Sequence, residues 1–525
     1  MATQQLPHGD SAGTFLGHPK GLFMLFFAEM WERFSYYGMR ALLIFYLTKH
    51  WLFSDSEAGI IYGAYTALVY ITPVVGGYLA DKYLGQRKAV LFGAVLLTAG
   101  HFFMAFEGQA AVGHNNNPMI NVFWLALALI IVGSGFLKAN ISVIVGQLYP
   151  RTDVRRDGAY TIFYMGINLG AALGSLLCGY IGETYGWNYG FGLAGVGMLA
   201  GLAVFVIGKG LLLGRGEPPA PLAKGREFSL YGVGLVLVAV CWFLVQNQAL
   251  VGGLLGVFGG ILVLYVVGVA VTKLEPEDRD RIFAALFLII TSIIFWALFE
   301  QAGSSLNLFT DRHVDRGGVP ASVFQSINAI YIILLAPIFA TAWTFLGRKG
   351  LEPSAPFKFG LGVVQVGLGF LVLVWGAASV GIDVPTPVIF IFLIYLLHTT
   401  GELCLSPVGL SAMNRLAPAH MASLIMGTWF FASATGNFAA GLIASATGAE
   451  GVGEEAGKQV VLDVYSTVGW FAIGVGLAVL VVSPLIKKMM HLDTLRDDDA
   501  RLVGEAEGPG EPQGAGVHPA VENRP

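Results

Sequence analysis

Ionisable side chains recur along one face of the first long apolar segment of this chain. The segment spans residues 21–53 and contains EMWERFSYYGMR, residues 29–40. Steps of four, three and four residues along this stretch fall on one face of a helix. These face residues are Glu29, Arg33, Tyr36 and Arg40. Each charge at the centre of a membrane helix costs roughly 2.5–3.5 kcal/mol, so this face must meet water or opposite charge.

Two interpretations fit this charged face, which Glu32 and Tyr37 flank. A carboxylate four residues before an arginine pairs with it along a helix, so the cluster can be a self-neutralised packing element. Alternatively it is an ion and substrate site, the usual role of ionisable groups at membrane depth. We favour the second interpretation.

The composition identifies a polytopic membrane protein. The chain has 525 residues, of which 55% are hydrophobic and only 12% are charged, whereas soluble domains carry about 25% charged residues. Cys178, Cys241 and Cys404 fall in separate apolar segments, which predicts buried thiols rather than disulfides. No metal or haem motif is present in the sequence, so we expect no cofactor. The first apolar run carries charges and is long, which indicates a retained helix rather than a signal peptide.

Helical apolar spans follow one another along the chain, and two polar linkers divide them into groups of six, two and six. The predicted fold class is therefore an all-α polytopic protein with fourteen membrane helices, built as two six-helix bundles with a central two-helix insertion. We expect the insertion to be an accessory hairpin. The predicted organisation is an N-terminal tail 1–20, an N-terminal bundle 21–212, linkers and hairpin 213–281, a C-terminal bundle 282–490 and a disordered acidic tail 491–525.

Lysine and arginine are distributed unevenly between the two sets of loops. One set is rich in them, for example around Arg87, Arg155 and Arg348, whereas the opposite set carries few. Basic loops stay in the cytoplasm. The pattern predicts a multi-pass membrane protein with both termini cytoplasmic.

Few further ionisable residues lie at membrane depth. Lys138 falls in the fourth span, Glu300 two-thirds along the first span after the second linker, and Glu402 in the middle of a later span. At membrane depth, the ionisable groups of the N-terminal bundle thus carry a neutral or positive net charge, and those of the C-terminal bundle a negative one. A cavity between them would have a basic and an acidic wall, which suits a zwitterion with separated ends. His398, one turn before Glu402, is expected to be a packing residue.

Aromatic and amide side chains within the spans are candidates for lining such a cavity. Any one of them is more often a core residue, but as a set they suit a pocket that accepts varied side chains. These are Tyr36, Tyr37, Tyr70, Tyr164, Trp296, Trp429, Asn168 and Asn328.

The charged stretch resembles the first-helix signature of the proton-dependent oligopeptide transporters, a branch of the major facilitator superfamily. FYMGINLGAALG from Phe163 resembles the fifth-helix motif of that family, and GELCLSPVGLS from Gly401 its tenth-helix motif. GGYLADKYLGQRKAV from Gly76 resembles the loop motif of the superfamily. The resemblance covers nearly the whole chain, and the central hairpin is also found in bacterial members. It therefore implies a location in the bacterial inner membrane.

The resemblance implies proton-coupled import of di- and tripeptides by alternating access, with the proton as the coupling ion. It implies a protein that works as a monomer in the lipid bilayer and binds no nucleic acid. The implied proton-coupling residues are Glu29, Glu32, Arg33, Lys138 and Glu300. The implied gating residues are the pairs Arg40 with Glu300 and Lys138 with Glu402. The implied substrate-binding residues are Arg33, Arg40, Tyr37, Tyr70, Lys138, Tyr164, Asn168, Trp296, Asn328, Glu402, Ser406 and Trp429.

Two other classes of function remain open at this stage. The first is symport of another small solute, such as nitrate or an amino-acid conjugate, on the same fold. The carboxylate of Glu402 argues against an anionic substrate such as nitrate, because an anion would gain nothing from it. The second, more distant alternative is a membrane enzyme or a receptor. An enzyme would need paired Asp or His–Asp groups at the membrane interface, and the Asp run 497–499 lies in the predicted tail.

Overall fold

Long helices make up nearly all of the described chain. The computed structural model describes residues 13–106, 113–150, 153, 155–448 and 453–492. From residue 493 onward, the predicted acidic tail lies outside the described residues.

The helices follow the predicted order. Their bounds are α1 Lys20–Phe45, α2 Asp55–Leu79, α3 Gln86–Met104, α4 Ile120–Gln147, α5 Arg155–Tyr185, α6 Trp187–Gly208, α7 Lys224–Gln246, α8 Gln248–Lys273, α9 Pro276–Phe299, α10 Ser305–His313, α11 Ser326–Arg348, α12 Ala355–Val380, α13 Ile389–Leu416, α14 Ala422–Ala446 and α15 Glu454–Met489. Short two-residue strands pair as β1 Thr14–Phe15 with β2 His18–Pro19, antiparallel, and as β3 Val314–Asp315 with β4 Thr386–Pro387, parallel.

Within the described residues, twelve helical segments are long and apolar enough to cross a membrane. Two further helices reach the same length: α1 has 26 residues and carries the predicted charges, and α14 has 25 residues rich in Gly, Ala, Ser and Thr. An α-helix needs about 20 residues to cross the hydrocarbon core. The all-α polytopic fold predicted from the sequence is therefore confirmed.

The helices pack as two bundles with separate apolar cores. In the N-terminal bundle, α1 packs on α5 and α6, and α3 packs on α4; in the C-terminal bundle, α12 packs on α13 and α15, and α14 on α9. The first core is formed mostly by side chains of α1–α8, and the second by side chains of α8–α15. The central helices α7 and α8 are largely exposed, as the predicted hairpin requires. All three cysteines are buried free thiols, which confirms the prediction.

The two bundles meet at one end, here called the sealed end, which comprises residues 40–63, 183–191, 300–328 and 441–448. There α2 crosses α14 so closely that a Cβ atom added to Gly63 would lie 2.6 Å from the Cα atom of Gly441. Only glycine permits that approach. Polar side chains also link the bundles at this end: Lys49 to Asp311, Asp55 to Arg312, Ser56 to Ser445, and the Glu183 carboxylate to the backbone N–H of Ser322.

Several predicted boundaries differ from the structure. Residues 14–19 of the predicted N-terminal tail form a small hairpin, in which β1 pairs with β2 before α1. The linkers are shorter than predicted because α7 begins at Lys224 and α9 at Pro276. Proline in the first turn, followed by Glu277 and Asp278, favours a helix start that hydropathy alone misses.

The span around Glu300 was expected to be one continuous helix. Instead α9 ends at Phe299, a 3₁₀ turn covers Glu300–Gly303, and α10 begins at Ser305. The continuous apolar run conceals this break, because hydropathy does not report backbone conformation. The turn places Glu300 at a helix end rather than within a helix.

Candidate functional site

The charged helix α1 is held in place by a row of glycines on α5. Gly166, Gly170 and Gly174 are four residues apart and share one helix face. A Cβ atom added to Gly170 would lie 2.2 Å from the carbonyl oxygen of Met30, and one added to Gly174 would lie 2.2 Å from that of Phe34. The FYMGINLGAALG motif therefore brings α5 against the backbone of α1 and fixes the charged helix.

Arg33 joins the two glutamates of the predicted proton-coupling cluster. Its Nε atom donates a hydrogen bond to Oε1 of Glu29 at 2.7 Å and lies 3.3 Å from Oε2 of Glu32. All three side chains are almost completely buried. Among the described residues, the second oxygen of Glu29 has no hydrogen-bond partner. Two carboxylates around one guanidinium give a site where a single added proton changes the local balance of charge.

Lys138 on α4 approaches the same helix. Its Nζ atom lies 3.7 Å from the centroid of the Tyr36 ring, a cation–π contact. Lys138 also interacts electrostatically with Glu29. The structure therefore brings Lys138 to the charged face of α1, and its role in proton coupling stays a prediction. Its predicted pairing with Glu402 stays a prediction.

Arg40 and Glu300 form a buried ion pair that crosses from one bundle to the other. Nη2 of Arg40 donates to Oε2 of Glu300. The two side chains are 10% and 4% exposed. Nε of Arg40 donates at 2.5 Å to the hydroxyl of Tyr62, on α2. The Tyr37 and Tyr62 rings lie 5.6 and 5.9 Å from the guanidinium carbon. The structure thus brings Arg40 and Glu300 together, and their gating role stays a prediction. Tyr62 was not predicted from the sequence.

Glu402 lies in the C-terminal bundle, where α11 and α13 meet. Nδ2 of Asn328 donates to Oε2 of Glu402 at 3.1 Å and to the hydroxyl of Thr399 at 3.0 Å. The predicted amide and the predicted carboxylate are thus neighbours. His398 is buried, and its Nε2 lies 3.1 Å from the carbonyl oxygen of Val366, so it packs as predicted.

The remaining predicted pocket residues divide by exposure. Asn168 is buried and donates to the carbonyl oxygen of Tyr164 at 3.1 Å, while Trp429 is buried against Phe359 and Gly409. The half-buried predicted residues are Tyr37, Tyr70, Lys138, Tyr164, Asn328 and Glu402. The fully buried ones also include Trp296 and Ser406. The half-buried residues keep some accessible surface in this conformation, and the binding roles of both groups stay predictions.

Polar links at the sealed end were not anticipated from the sequence. Arg312 pairs with Asp55, and Lys49 pairs with Asp311 at 2.6 Å. A charge in a loop gives no sequence signal of its partner. The capping box at Ser54, where Ser54 and Glu57 bond each other's backbone N–H groups, does mark the start of α2.

No metal site is evident in the part of the chain that the structure describes. It contains no group of three or more His, Cys, Asp or Glu side chains placed to hold a metal ion. The buried charges instead pair with each other and with aromatic rings.

Comparison with protein families identifies the chain as a transporter. The model of the POT family matches residues 87–457. The peptide transporter YePEPT of Yersinia enterocolitica is 38% identical over 469 residues, covering 82% of this chain and 88% of that protein. The dipeptide and tripeptide permease B of Edwardsiella piscicida is 31% identical over 494 residues, covering 92% and 98%.

Solved structures have the same fold. The crystal structure of peptide transporter POT in complex with sulfate has a TM-score of 0.78 at 37% identity, covering 91% of this chain and 97% of that chain. A POT family transporter in complex with 5-aminolevulinic acid has a TM-score of 0.78 at 31% identity, covering 91% and 99%. Family model, sequence relatives and fold agree, so the chain belongs to the POT family, the proton-dependent oligopeptide transporters of the major facilitator superfamily.

Proposed function

We propose that this chain is a symporter that imports di- and tripeptides together with protons by alternating access. The observation that carries the proposal is the buried Arg40–Glu300 ion pair, which ties the two bundles together at the sealed end. A buried pair is strong only while both partners are charged. Protonating the carboxylate therefore weakens the tie between the bundles, which couples a proton to a conformational change.

The first step is protonation of Glu300 or Glu32 from outside. Neutralising Glu300 removes its attraction for Arg40 and lets the sealed end open. Arg33 pairs with both Glu29 and Glu32. Protonating Glu32 removes one of these two partners, so part of the positive charge of Arg33 is no longer neutralised. When the bundles rock back, the buried cations again favour the charged carboxylates, and the proton leaves on the other side.

The peptide binds with its two charged ends on opposite bundles. Arg33, Arg40 and Lys138 of the N-terminal bundle attract the carboxylate, and Glu402 of the C-terminal bundle receives the ammonium group. The Asn328 amide holds the Glu402 carboxylate in place. The side chains proposed to line the pocket are Tyr37, Tyr70, Tyr164, Asn168, Trp296, Ser406 and Trp429. A span between fixed charges favours short peptides over free amino acids.

The proton gradient can drive substantial accumulation. One charge crossing 100 mV supplies about 2.3 kcal/mol. At about 1.36 kcal/mol per tenfold change, one proton per peptide supports a roughly 50-fold concentration ratio.

The location follows from charge sorting. We infer an inner-membrane protein with both termini in the cytoplasm, because the arginine-rich and lysine-rich loops lie at the end opposite the sealed end. The sealed end then faces outward. The protein acts as a monomer in the lipid bilayer and uses the proton as its coupling ion, without a further cofactor.

The test is uptake of a labelled dipeptide into liposomes that contain the purified protein. An inward proton gradient should drive accumulation, and an uncoupler should abolish it. Glu32→Gln should lose proton-driven uptake while retaining part of the exchange of labelled for unlabelled peptide. Equal uptake with and without a gradient would refute proton coupling.

A second candidate is symport of small amino-acid-like solutes or nitrate. A POT family relative was solved with 5-aminolevulinic acid, a compound with one amine and one carboxylate. Competition distinguishes the candidates: dipeptides should displace labelled dipeptide, whereas excess nitrate or free amino acid should not. Displacement by nitrate or amino acids at lower concentration than by dipeptides would favour the second candidate.

A further inference from the structure

Tyr62 lies at the centre of the gate and has no role in the mechanism described so far. It belongs to α2, is 2% exposed, and its hydroxyl accepts a hydrogen bond from Nε of Arg40 at 2.5 Å. A Cβ atom added to Gly303 would lie 1.9 Å from the Tyr62 hydroxyl oxygen. The hydroxyl therefore touches Arg40 on one side and the 3₁₀ turn after Glu300 on the other.

These contacts differ in whether they cross between the bundles. Arg40 on α1 and Tyr62 on α2 both belong to the N-terminal bundle, so their hydrogen bond survives when the bundles separate. The Arg40–Glu300 pair and the contact between Tyr62 and Gly303 cross to the C-terminal bundle and must break. After opening, Tyr62 is the gate partner that Arg40 keeps.

The hydrogen bond also selects which edge of the guanidinium is available. Arginine presents five N–H donors in a rigid fork, and Nε carries one of them. Tyr62 occupies Nε, while Nη2 holds the Glu300 carboxylate. When the bundles separate, the Glu300 carboxylate moves away from Nη2 of Arg40. This terminal edge of the guanidinium can then bind a different carboxylate.

We propose that Tyr62 is a positioning residue that keeps the Arg40 guanidinium aimed at the carboxylate of the bound substrate once the gate has opened. The substrate carboxylate then takes the place of Glu300 on the same edge of Arg40. This inference rests on the proposed peptide transport and names a residue that controls how well the peptide carboxylate is bound.

The test compares a dipeptide with the same dipeptide bearing a C-terminal amide. Inhibition constants of dialanine and dialanine amide are measured against exchange of a labelled dipeptide, without a proton gradient. Tyr62→Phe should raise the constant for dialanine about tenfold, as expected for losing one hydrogen bond to a charged group. The constant for the amide, which lacks the carboxylate, should change less than about twofold.

Tyr65→Phe is the matched control. Tyr65 lies on α2, is fully buried, and none of the described residues hydrogen-bonds its hydroxyl. The same chemical change there should leave both constants as in the wild-type protein. Equal increases for dialanine and its amide in Tyr62→Phe, or no increase for either, would overturn the proposal.

Gly303→Ala provides a second variant that keeps the Tyr62 hydroxyl. Its methyl group meets that hydroxyl only when the end is sealed, so it should slow turnover and leave the ratio of the two inhibition constants unchanged. A changed ratio in Gly303→Ala would mean that Tyr62 acts on closure rather than on the substrate, and would overturn the proposal. Failure of the proposed function is seen separately, as absence of dipeptide exchange in the wild-type protein.

Discussion

The two ends of the bundles use ion pairs differently. At the sealed end, Arg40 pairs with Glu300 and Asp55 with Arg312, and both pairs cross between bundles. At the opposite end, described ion pairs stay within one bundle or join it to the adjoining linker and hairpin. These local pairs include Arg87 with Glu217, Lys88 with Glu227, Arg155 with Asp153, Arg281 with Asp278 and Lys358 with Glu352. A rocking motion must break the first group and can leave the second intact.

Burial separates the pairs further. The side chains of Arg40 and Glu300 are 10% and 4% exposed, whereas those of Lys88 and Glu227 are 24% and 21% exposed. Exposed pairs contribute about 0–1 kcal/mol because water and salt screen them. At the sealed end itself, Arg312 and Asp55 are 39% and 22% exposed. The buried Arg40–Glu300 pair is therefore the main electrostatic tie between the bundles at that end, and protonation has its largest effect there.

The largest expected effect comes from breaking the buried pair on one side. Arg40→Ala leaves the Glu300 carboxylate buried without its cation, which costs on the order of 3–5 kcal/mol. We expect loss of uptake by at least about 100-fold and a lower melting temperature in detergent. Melting is followed by intrinsic fluorescence, and uptake by labelled dipeptide in liposomes.

The double variant Arg40→Ala/Glu300→Gln separates stability from transport. Removing the orphaned charge should restore most of the melting temperature, because no buried ion remains unpaired. Uptake driven by the proton gradient should stay absent. A double variant that melts as low as Arg40→Ala would contradict the account of the pair.

A smaller effect is expected from the half-exposed pair at the same end. Asp55→Ala removes the partner of Arg312, whose side chain is 39% exposed. We expect a change in the uptake rate of about two- to fivefold, the range that corresponds to at most about 1 kcal/mol. The charge-reversed double variant Asp55→Arg/Arg312→Asp should return toward the wild-type rate.

Asp278→Ala is the control at the opposite end. It removes a partner of Arg281 within the same helix, so uptake should be unchanged within error. An effect as large as that of Asp55→Ala would remove the distinction between the two ends.

The smallest effect concerns the N-terminal hairpin. Nδ1 of His18 lies 2.8 Å from the Tyr149 hydroxyl, and Arg155 donates to the carbonyl oxygen of Gly17. Burial first, and then the Arg155 charge, lower the pKa of His18 below its usual value of 6.5, while Asp153 opposes this shift. His18 therefore binds a proton more readily when the hairpin is undocked than when it is docked. Docking weakens as the pH falls below about 6.5.

Hydrogen exchange of residues 14–19 measures that docking. In the wild-type protein, the backbone amides of these residues should be less protected from exchange at pH 5.5 than at pH 7.5. In His18→Gln, this difference in protection between the two pH values should vanish. Stronger protection at the lower pH would mean that the sign of this linkage is wrong.

Much of the fold follows directly from the sequence. Long apolar runs predict the membrane helices because each must satisfy its backbone within the segment. The charges of α1 predict a buried cluster because charges at membrane depth need partners, and Arg33 does pair with Glu29 and Glu32. The Asn328 amide was predicted from its position in a span, and it contacts Glu402.

Other features depend on contacts that no local pattern encodes. The break at Glu300 lies inside a continuous apolar run. Tyr62 looks like any aromatic residue of an apolar helix until Arg40 is placed beside it. The partners Asp55 and Arg312 are far apart in the chain and meet only because α2 and α10 converge at the sealed end. Partner identity is set by tertiary packing, which sequence spacing does not report.

The most direct test of the account is a reversible cross-link at the sealed end. The hydroxyls of Ser56 and Ser445 are hydrogen-bonded across the bundles, and the three native cysteines are buried. Oxidised Ser56→Cys/Ser445→Cys should form a disulfide and lose uptake, and a reductant should restore it, whereas each single variant should transport with or without oxidant. A cross-linked protein that still accumulates dipeptide at the wild-type rate would contradict the claim that transport requires this end to open.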